Sequence, residues 1–323
     1  MKLMKIAGGA VAALAGLAMQ VQAETWDMPT PYPDATFHTV NIHDFAKDVA
    51  AATDGALEIK VHSAGSLFKH PEISKAVRSG QVPVGEFFLS LLANDNPAFG
   101  ADSLPFLATN YDDAQKLWAA QKDVINGLLD EQGMMVLYAV PWPPQGLYTT
   151  KEINSVDDLA GLKFRTYNAT LEEFANLAGA APTQVEVPDI PQAFSTGRVE
   201  AMITSPSTGV NSKAWDFLTH YTDIQAWIPK NVVVVNKRAF RRLDDATQAA
   251  VLEAAAAAEA RGWEMSQAET AKQTAVLQEN GITVVQPSEE LMAGLRAIGA
   301  QMLENWTAEA GDSGAALLQA YQQ

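Results

Sequence analysis

Apolar positions at Ile42, Phe45, Val49 and Ala52 share one helical face, and the run closes on Asp54-Gly55, so IHDFAKDVAAATDG predicts a helix with a C-terminal stop. The period then shortens. In ALEIKVHSAG, Leu57, Ile59 and Val61 alternate with polar neighbours in the manner of a strand. PEISKAVRSG predicts a short helix that starts on Pro71 and stops at Gly80, and VPVGEFF a strand running into a loop. Strand and helix therefore alternate, the mark of an α/β chain.

The second half repeats the logic. GLKFRT, APTQVEV and VEAMITS predict strands, and ATLEEFANLAG and DIPQAFSTG helices ended by Gly179 and Gly197. Two similar α/β lobes follow one another without a residue-level repeat. The crossover falls near VPWPPQG, Val140 to Gly146, where three prolines stiffen the path, and a hinge or interdomain strand fits there. A second crossing is expected near Lys230 to Val235.

From Asp244 to Asn280 the chain holds no proline and is rich in Ala, Glu and Gln. A continuous helix there would extend about 55 Å, enough to run along both lobes. The alternative is two helices, with the break or bend at Gly262.

The amino terminus adds a compartment. Lys2 and Lys5 precede the apolar run IAGGAVAALAGLAM and the small-x-small stretch VQA, which predicts a signal peptide over residues 1–23, cleaved after Ala23, and a periplasmic mature protein. The run is shorter than the roughly 20 apolar residues of a spanning helix. With no cysteine among 323 residues, disulfides and thiol chemistry are excluded. The formal charge is −16, and loss of Lys2 and Lys5 leaves 20 basic against 38 acidic residues, or −18. Nucleic acid and anionic membrane are poor partners for such a chain, but a cleft can still concentrate one or two cations for an anionic small molecule.

Catalytic patterns are missing: no GxxxxGK[ST], GxSxG, HExxH or EF-hand loop occurs. None of the five histidines, His38, His43, His62, His70 and His220, pairs with another at i, i+4, so no metal or other cofactor is expected. Hydrogen-bonded or surface histidines are the plainer expectation, with His38 kept among the ligand candidates. The chief candidate is Arg165. It alternates with Phe164 and sits at the C-terminal end of its strand, the end where open α/β sheets bind ligands. Its planar guanidinium suits a carboxylate; an ordinary surface ion pair with Asp157 is the alternative. Aromatics gather at the same predicted rims: Phe87, Phe88, Trp142, Tyr167, Trp215 and Trp227, with Glu86, Gln145, Asn168 and Ser205 as polar companions.

The order of these pieces resembles a family. SAGSLFKHPEISKAVRSGQVPVGEF, DLAGLKFRTYNATLEEFANLAGAAPTQVEVPDIPQAFSTGRVEAMITS and KNVVVVNKRAFRRLDDATQAAV are similar to the solute-binding proteins of tripartite ATP-independent periplasmic (TRAP) transporters, the C4-dicarboxylate-binding family. The resemblance implies a two-lobed periplasmic binding protein fold, a ligand cleft between the lobes and a long helix spanning both. It assigns 24–142 plus 231–270 to the N-terminal lobe and 143–230 plus 271–323 to the C-terminal lobe. It makes Arg165 the clamp for the carboxylate of an organic acid, names the membrane permease subunits as partners, and implies a monomer without catalysis. Where many members that bind sugar acids or dicarboxylates carry a GQENP-like stretch, this chain has MITSPS, Met202 to Ser207. With the rim aromatics, that departure favours an aromatic carboxylate such as hydroxybenzoate over a sugar acid or C4-dicarboxylate. A secreted enzyme acting on organic acids is the alternative from another class.

Overall fold

The computed structural model describes residues 23–322, so the predicted signal segment up to residue 22 lies outside the described residues. The chain opens with β1 (Glu24–Pro29), α1 (Phe37–Ala52) and β2 (Leu57–His62), and β1 pairs in parallel with β2. After α2 (His70–Ser79), closed by Gly80 at φ +75°, come β3 (Val84–Phe88), α3 (Tyr111–Glu131) and β4 (Met134–Pro141). Then the chain leaves for a second sheet. It forms β5 (Gly146–Thr149), β6 (Lys163–Thr166), α4 (Ala169–Leu177), β7 (Ala181–Gln184), α5 (Ile190–Ser195), β8 (Ala201–Thr204), α6 (Pro206–Asn211) and β9 (His220–Thr222). It returns as β10 (Lys230–Asn236), followed by α7 (Lys237–Phe240), α8 (Asp245–Glu279), β11 (Thr283–Val285) and α9 (Glu289–Tyr321).

The two sheets define two lobes. In the first, β10 lies between β3 and β4, antiparallel to both, with the β1–β2 pair beside β3. In the second, the order is β11-β9-β5-β8-β6-β7, and β6 runs parallel to both its neighbours. Each sheet is apolar on both faces and has helices packed over both, which is why its central strands read as near-continuous apolar runs such as VVVV in β10.

Two crossover segments run between the sheets. Trp142 to Gln145 carries the chain out and 223–229 carries it back, whereas Lys230 to Val235, expected to be the second crossing, is the central strand of the first sheet. The two crossovers hold each other: Trp142 N donates to Pro229 O (2.8 Å), Gln145 N to Trp227 O (3.0 Å) and Ala226 N to Gln145 O (2.9 Å).

The helix predicted from Asp244 to Asn280 is continuous. Asp244 caps it by accepting from Thr247 N, and its 35 residues span about 52 Å. Val251, Ala254 and Ala258 pack in the first lobe and Leu277 in the second. Gly262 does not break it. A Cβ there would stand 2.4 Å from Val140 Cγ2 and 2.9 Å from Asn41 Nδ2, so the glycine lets the helix press against β4 and α1. Helix α9 also ties the lobes: Leu291, Leu295 and Met302 pack on the second, Trp306 and Leu317 on the first. The expected placement of all of 271–323 in one lobe therefore divides within α9.

Candidate functional site

Between the lobes, against the crossovers, lies a narrow cavity, with about 380 Å3 of empty space when its opening to solvent is included. Tyr32, His70 and Phe88 face it from the first lobe, Trp142 and Gln145 from the crossover. The second lobe supplies Arg165, Tyr167, Glu186, Val187, Thr204, Ser205 and Thr208. Of the twelve residues expected at the site from sequence, Arg165, Phe88, Trp142, Gln145, Tyr167 and Ser205 are here together.

Arg165 reaches the cavity because strand alternation turns Phe164 into the second-lobe core and leaves the guanidinium on the opposite face. It is 1% exposed, so the surface pair with Asp157 does not form. Its Nε donates to Val185 O at 2.9 Å, the sole hydrogen bond of the guanidinium among the described residues, and its Cζ lies 4.8 Å from the centre of the Tyr167 ring. No carboxylate of the described residues comes within 4.0 Å of it. Burial pushes Arg165 down to about 10, with Tyr167, Glu186 and Tyr32 opposing the fall, so it stays cationic at neutral pH. A buried cation without an ion-pair partner is costly alone, and an anion placed on its open Nη1 and Nη2 edge relieves that cost.

The aromatic wall is set from behind. Trp142 Nε1 donates to Asn231 Oδ1 at 2.9 Å and Tyr32 OH to the same oxygen at 3.3 Å, their rings meeting edge to face at 5.0 Å. Asn231 is fixed in turn by Glu86, whose carboxylate accepts from Asn231 Nδ2 (2.8 Å), Thr30 Oγ1 (2.5 Å) and His38 Nδ1 (3.3 Å). Burial alone would raise the Glu86 carboxyl, but those bonds hold it below the usual range. Burial depresses His38 against the pull of Glu86, so the imidazole is neutral, its ring tilted 41° to that of Trp142 with the centres 4.3 Å apart.

Six expected residues thus stand elsewhere. Glu86 and His38 lie behind the wall as supports. Phe87, one residue from Phe88 on the strand, faces the opposite core. Trp227 is buried in the second-lobe core, where its Nε1 donates to Tyr167 OH at 3.2 Å. Trp215 packs half-buried on the other second-lobe core. Asn168 caps α4 by accepting from Leu171 N (2.8 Å) and bridges the lobes through Nδ2 to Ser90 Oγ (2.6 Å).

Tyr32, His70, Glu186, Val187, Thr204 and Thr208 were not among the expected residues. Glu186 carried the same signal as Arg165, since it follows β7, the parallel neighbour of β6, just past the strand's C-terminal end. Thr208 follows Ser205 by three residues and its N–H donates to the Ser205 Oγ that caps α6. Tyr32, in the loop before α1, and His70, the first residue of α2, stand where periodicity gives a side chain no direction.

Residues 31–309 match the model of the bacterial extracellular solute-binding protein family 7. A solute-binding protein of Chromohalobacter salexigens is 26% identical over 265 residues, 78% of this chain and 79% of the relative. Among solved structures, an extracytoplasmic solute receptor of Bordetella pertussis binding pyroglutamic acid is 46% identical with a TM-score of 0.92, covering 93% of this chain and all of its own. A marine metagenome TRAP solute-binding protein specific for pyroglutamate is 42% identical with a TM-score of 0.91, covering 93% of this chain and 99% of its own. A Roseobacter denitrificans TRAP protein with bound glucuronate, at 23% identity and a TM-score of 0.85, covers 93% of this chain and 99% of its own and shares the fold.

Proposed function

The chain belongs to the bacterial extracellular solute-binding protein family 7, and on that premise we propose that it is the periplasmic receptor of a TRAP transporter for a small monocarboxylate of the pyroglutamate class. It acts as a monomer without turnover, and hands its ligand to the membrane permease. The lobes expected as 24–142 plus 231–270 and 143–230 plus 271–323, amended where α9 reaches back to the first, close over the ligand about the paired crossovers.

The observation that carries the reading is Arg165, a buried guanidinium with its Nη edge open to an interlobe cavity. The size and charge of that cavity narrow the ligand. The cavity is narrow, which favours a small acid over a bulky one. Its lining holds one cation, Arg165, and one carboxylate, Glu186. A C4-dicarboxylate would leave its second charge unmatched beside Glu186, at a cost of several kcal/mol for an unpaired buried charge. Receptors 42–46% identical over 93% of this chain bind pyroglutamate, which carries one carboxylate on a small flat ring.

A second reading, an aromatic monocarboxylate such as hydroxybenzoate, is supported by the wall of Tyr32, Phe88, Trp142 and Tyr167. Competitive calorimetry with pyroglutamate, 4-hydroxybenzoate, succinate and glucuronate ranks the classes. Pyroglutamate is expected to bind at least about tenfold tighter than the others, a difference of about 1.4 kcal/mol. Tighter hydroxybenzoate binding would reverse the two readings, and tight succinate binding would contradict the charge argument.

A further inference from the structure

Glu186 is the part of the cavity that the carboxylate clamp leaves unused. It stands on the turn after β7, lines the cavity together with Arg165, and also lines the outer depression formed with Lys69 and Pro188 at the mouth. Its partner comes from the other lobe: His70 Nδ1 lies 3.3 Å from Glu186 Oε2. The tautomer follows from the other ring nitrogen. Phe88 N–H donates to His70 Nε2 at 3.0 Å, so Nε2 carries no proton and Nδ1 donates to the carboxylate. His70 is thus a neutral donor that fixes one carboxylate oxygen, while Oε1 has only a 3.5 Å contact with Gln184 Nε2 among the described residues.

Two other acceptors of the lining already take hydrogen bonds within the protein. Gln145 Oε1 accepts from Tyr167 OH at 3.3 Å, and Ser205 Oγ accepts from Thr208 N at 3.1 Å. Burial alone would raise the Glu186 carboxyl, but the hydrogen bond from His70 and the positive charge of Arg165 hold it below the usual range, so it is ionised at neutral pH. Arg165 and Glu186 are more than 4.0 Å apart and do not neutralise each other. They offer a ligand two different ends, one for an anion and one for a donor.

We infer that Glu186, oriented by His70 across the cleft, is the specificity-determining acceptor of this site, selecting monocarboxylates that also carry an N–H or O–H donor. A lactam N–H satisfies the open oxygen. A ring ether oxygen, a methoxy group or a second carboxylate at that place sets lone pairs against a carboxylate and leaves it without its bond. The inference rests on the reading of the cavity as a carboxylate site, and it is tested with ligand pairs that keep the carboxylate and change only the donor.

Pyroglutamate and 5-oxotetrahydrofuran-2-carboxylate, its ring-oxygen isostere, are titrated calorimetrically into the wild-type protein, Glu186→Ala and Glu186→Gln, with 4-hydroxybenzoate and 4-methoxybenzoate as a second pair. Thermal unfolding of the ligand-free variants verifies that they are folded. The wild type is expected to prefer the lactam over the lactone by about ten- to a hundredfold, with Glu186→Ala bringing the ratio near unity. Glu186→Gln, whose amide can donate to the ring oxygen, is expected to lower it as well. The ratio is the decisive readout, because a residue that merely latched the lobes would weaken both members of a pair alike. A wild-type ratio near one, or a ratio unchanged in Glu186→Ala, overturns the inference. If hydroxybenzoate binds and neither five-membered ring acid does, the pyroglutamate reading falls alone, and the hydroxy-to-methoxy ratio judges Glu186 by the same criterion.

Discussion

Arg165 and His38 show how differently two buried cationic residue types are handled. Arg165 keeps its charge in the cavity, because its departure near 10 lies far above neutral pH. His38 gives its charge up. Burial lowers it from its ordinary 6.5, so as pH falls the unfolded chain takes up this proton before the folded one does. Its contribution to stability is therefore complete above 6.5 and is lost as pH falls below that value, by at most about 1.4 kcal/mol per pH unit. Urea unfolding between about pH 7.5 and 5.5 should show a shallower decline for His38→Gln than for the wild type. Identical declines would mean that His38 is not held neutral in the fold. Sequence found His38 and Glu86 as candidates without their role. Both are polar residues on elements that feed the cleft, but position along a strand cannot separate a residue that lines a cavity from one that fixes the lining through Asn231. Arg165 was legible because a single alternation, Phe164 in and Arg165 out, decided its direction.

At the scale of elements, pattern worked where one period ran undisturbed. The strand ending in Arg165 and helix α8 follow their sequence signals closely. Gly262 left a break in α8 open, because inside a helical run glycine reads as a breaker, whereas here it marks close approach, as Gly299 does in α9. A Cβ at Gly299 would meet Pro105 O at 2.8 Å, a contact made across the molecule that no local pattern contains. The same long-range packing explains why α9 escaped notice: its glycines, one of them the true break at Gly311, interrupt the apolar period. Gly262→Ala sets the two effects against each other. Helix propensity alone predicts a gain of about 1 kcal/mol, while the clash with stiff Val140 and with Asn41 predicts a loss of about 1–3 kcal/mol. Overpacking should win, giving a net loss in chemical denaturation. A stabilised Gly262→Ala protein would show that α8 does not press on β4 as described.

The whole molecule joins an acidic chain to one cation in the cavity lining, Arg165. With 38 acidic against 22 basic residues, the surface gives little guidance to an anionic ligand, and recognition has to happen inside a closed cleft. The lobes meet across that cleft through His70 and Glu186, through Asn168 and Ser90, and through Phe88 against Tyr167 at 5.3 Å. None of these meetings is written in the order of residues along one lobe, so the cavity's partners from the far lobe were the least legible part of the site. The central claim is that Arg165 clamps a ligand carboxylate through a planar fork. Calorimetric titration of pyroglutamate into the wild type and Arg165→Lys tests it, since lysine keeps the charge and loses the fork. Saturable one-to-one binding by the wild type, weakened by about 2–5 kcal/mol in a folded Arg165→Lys, is the predicted result. Equal affinity in the two proteins would contradict it.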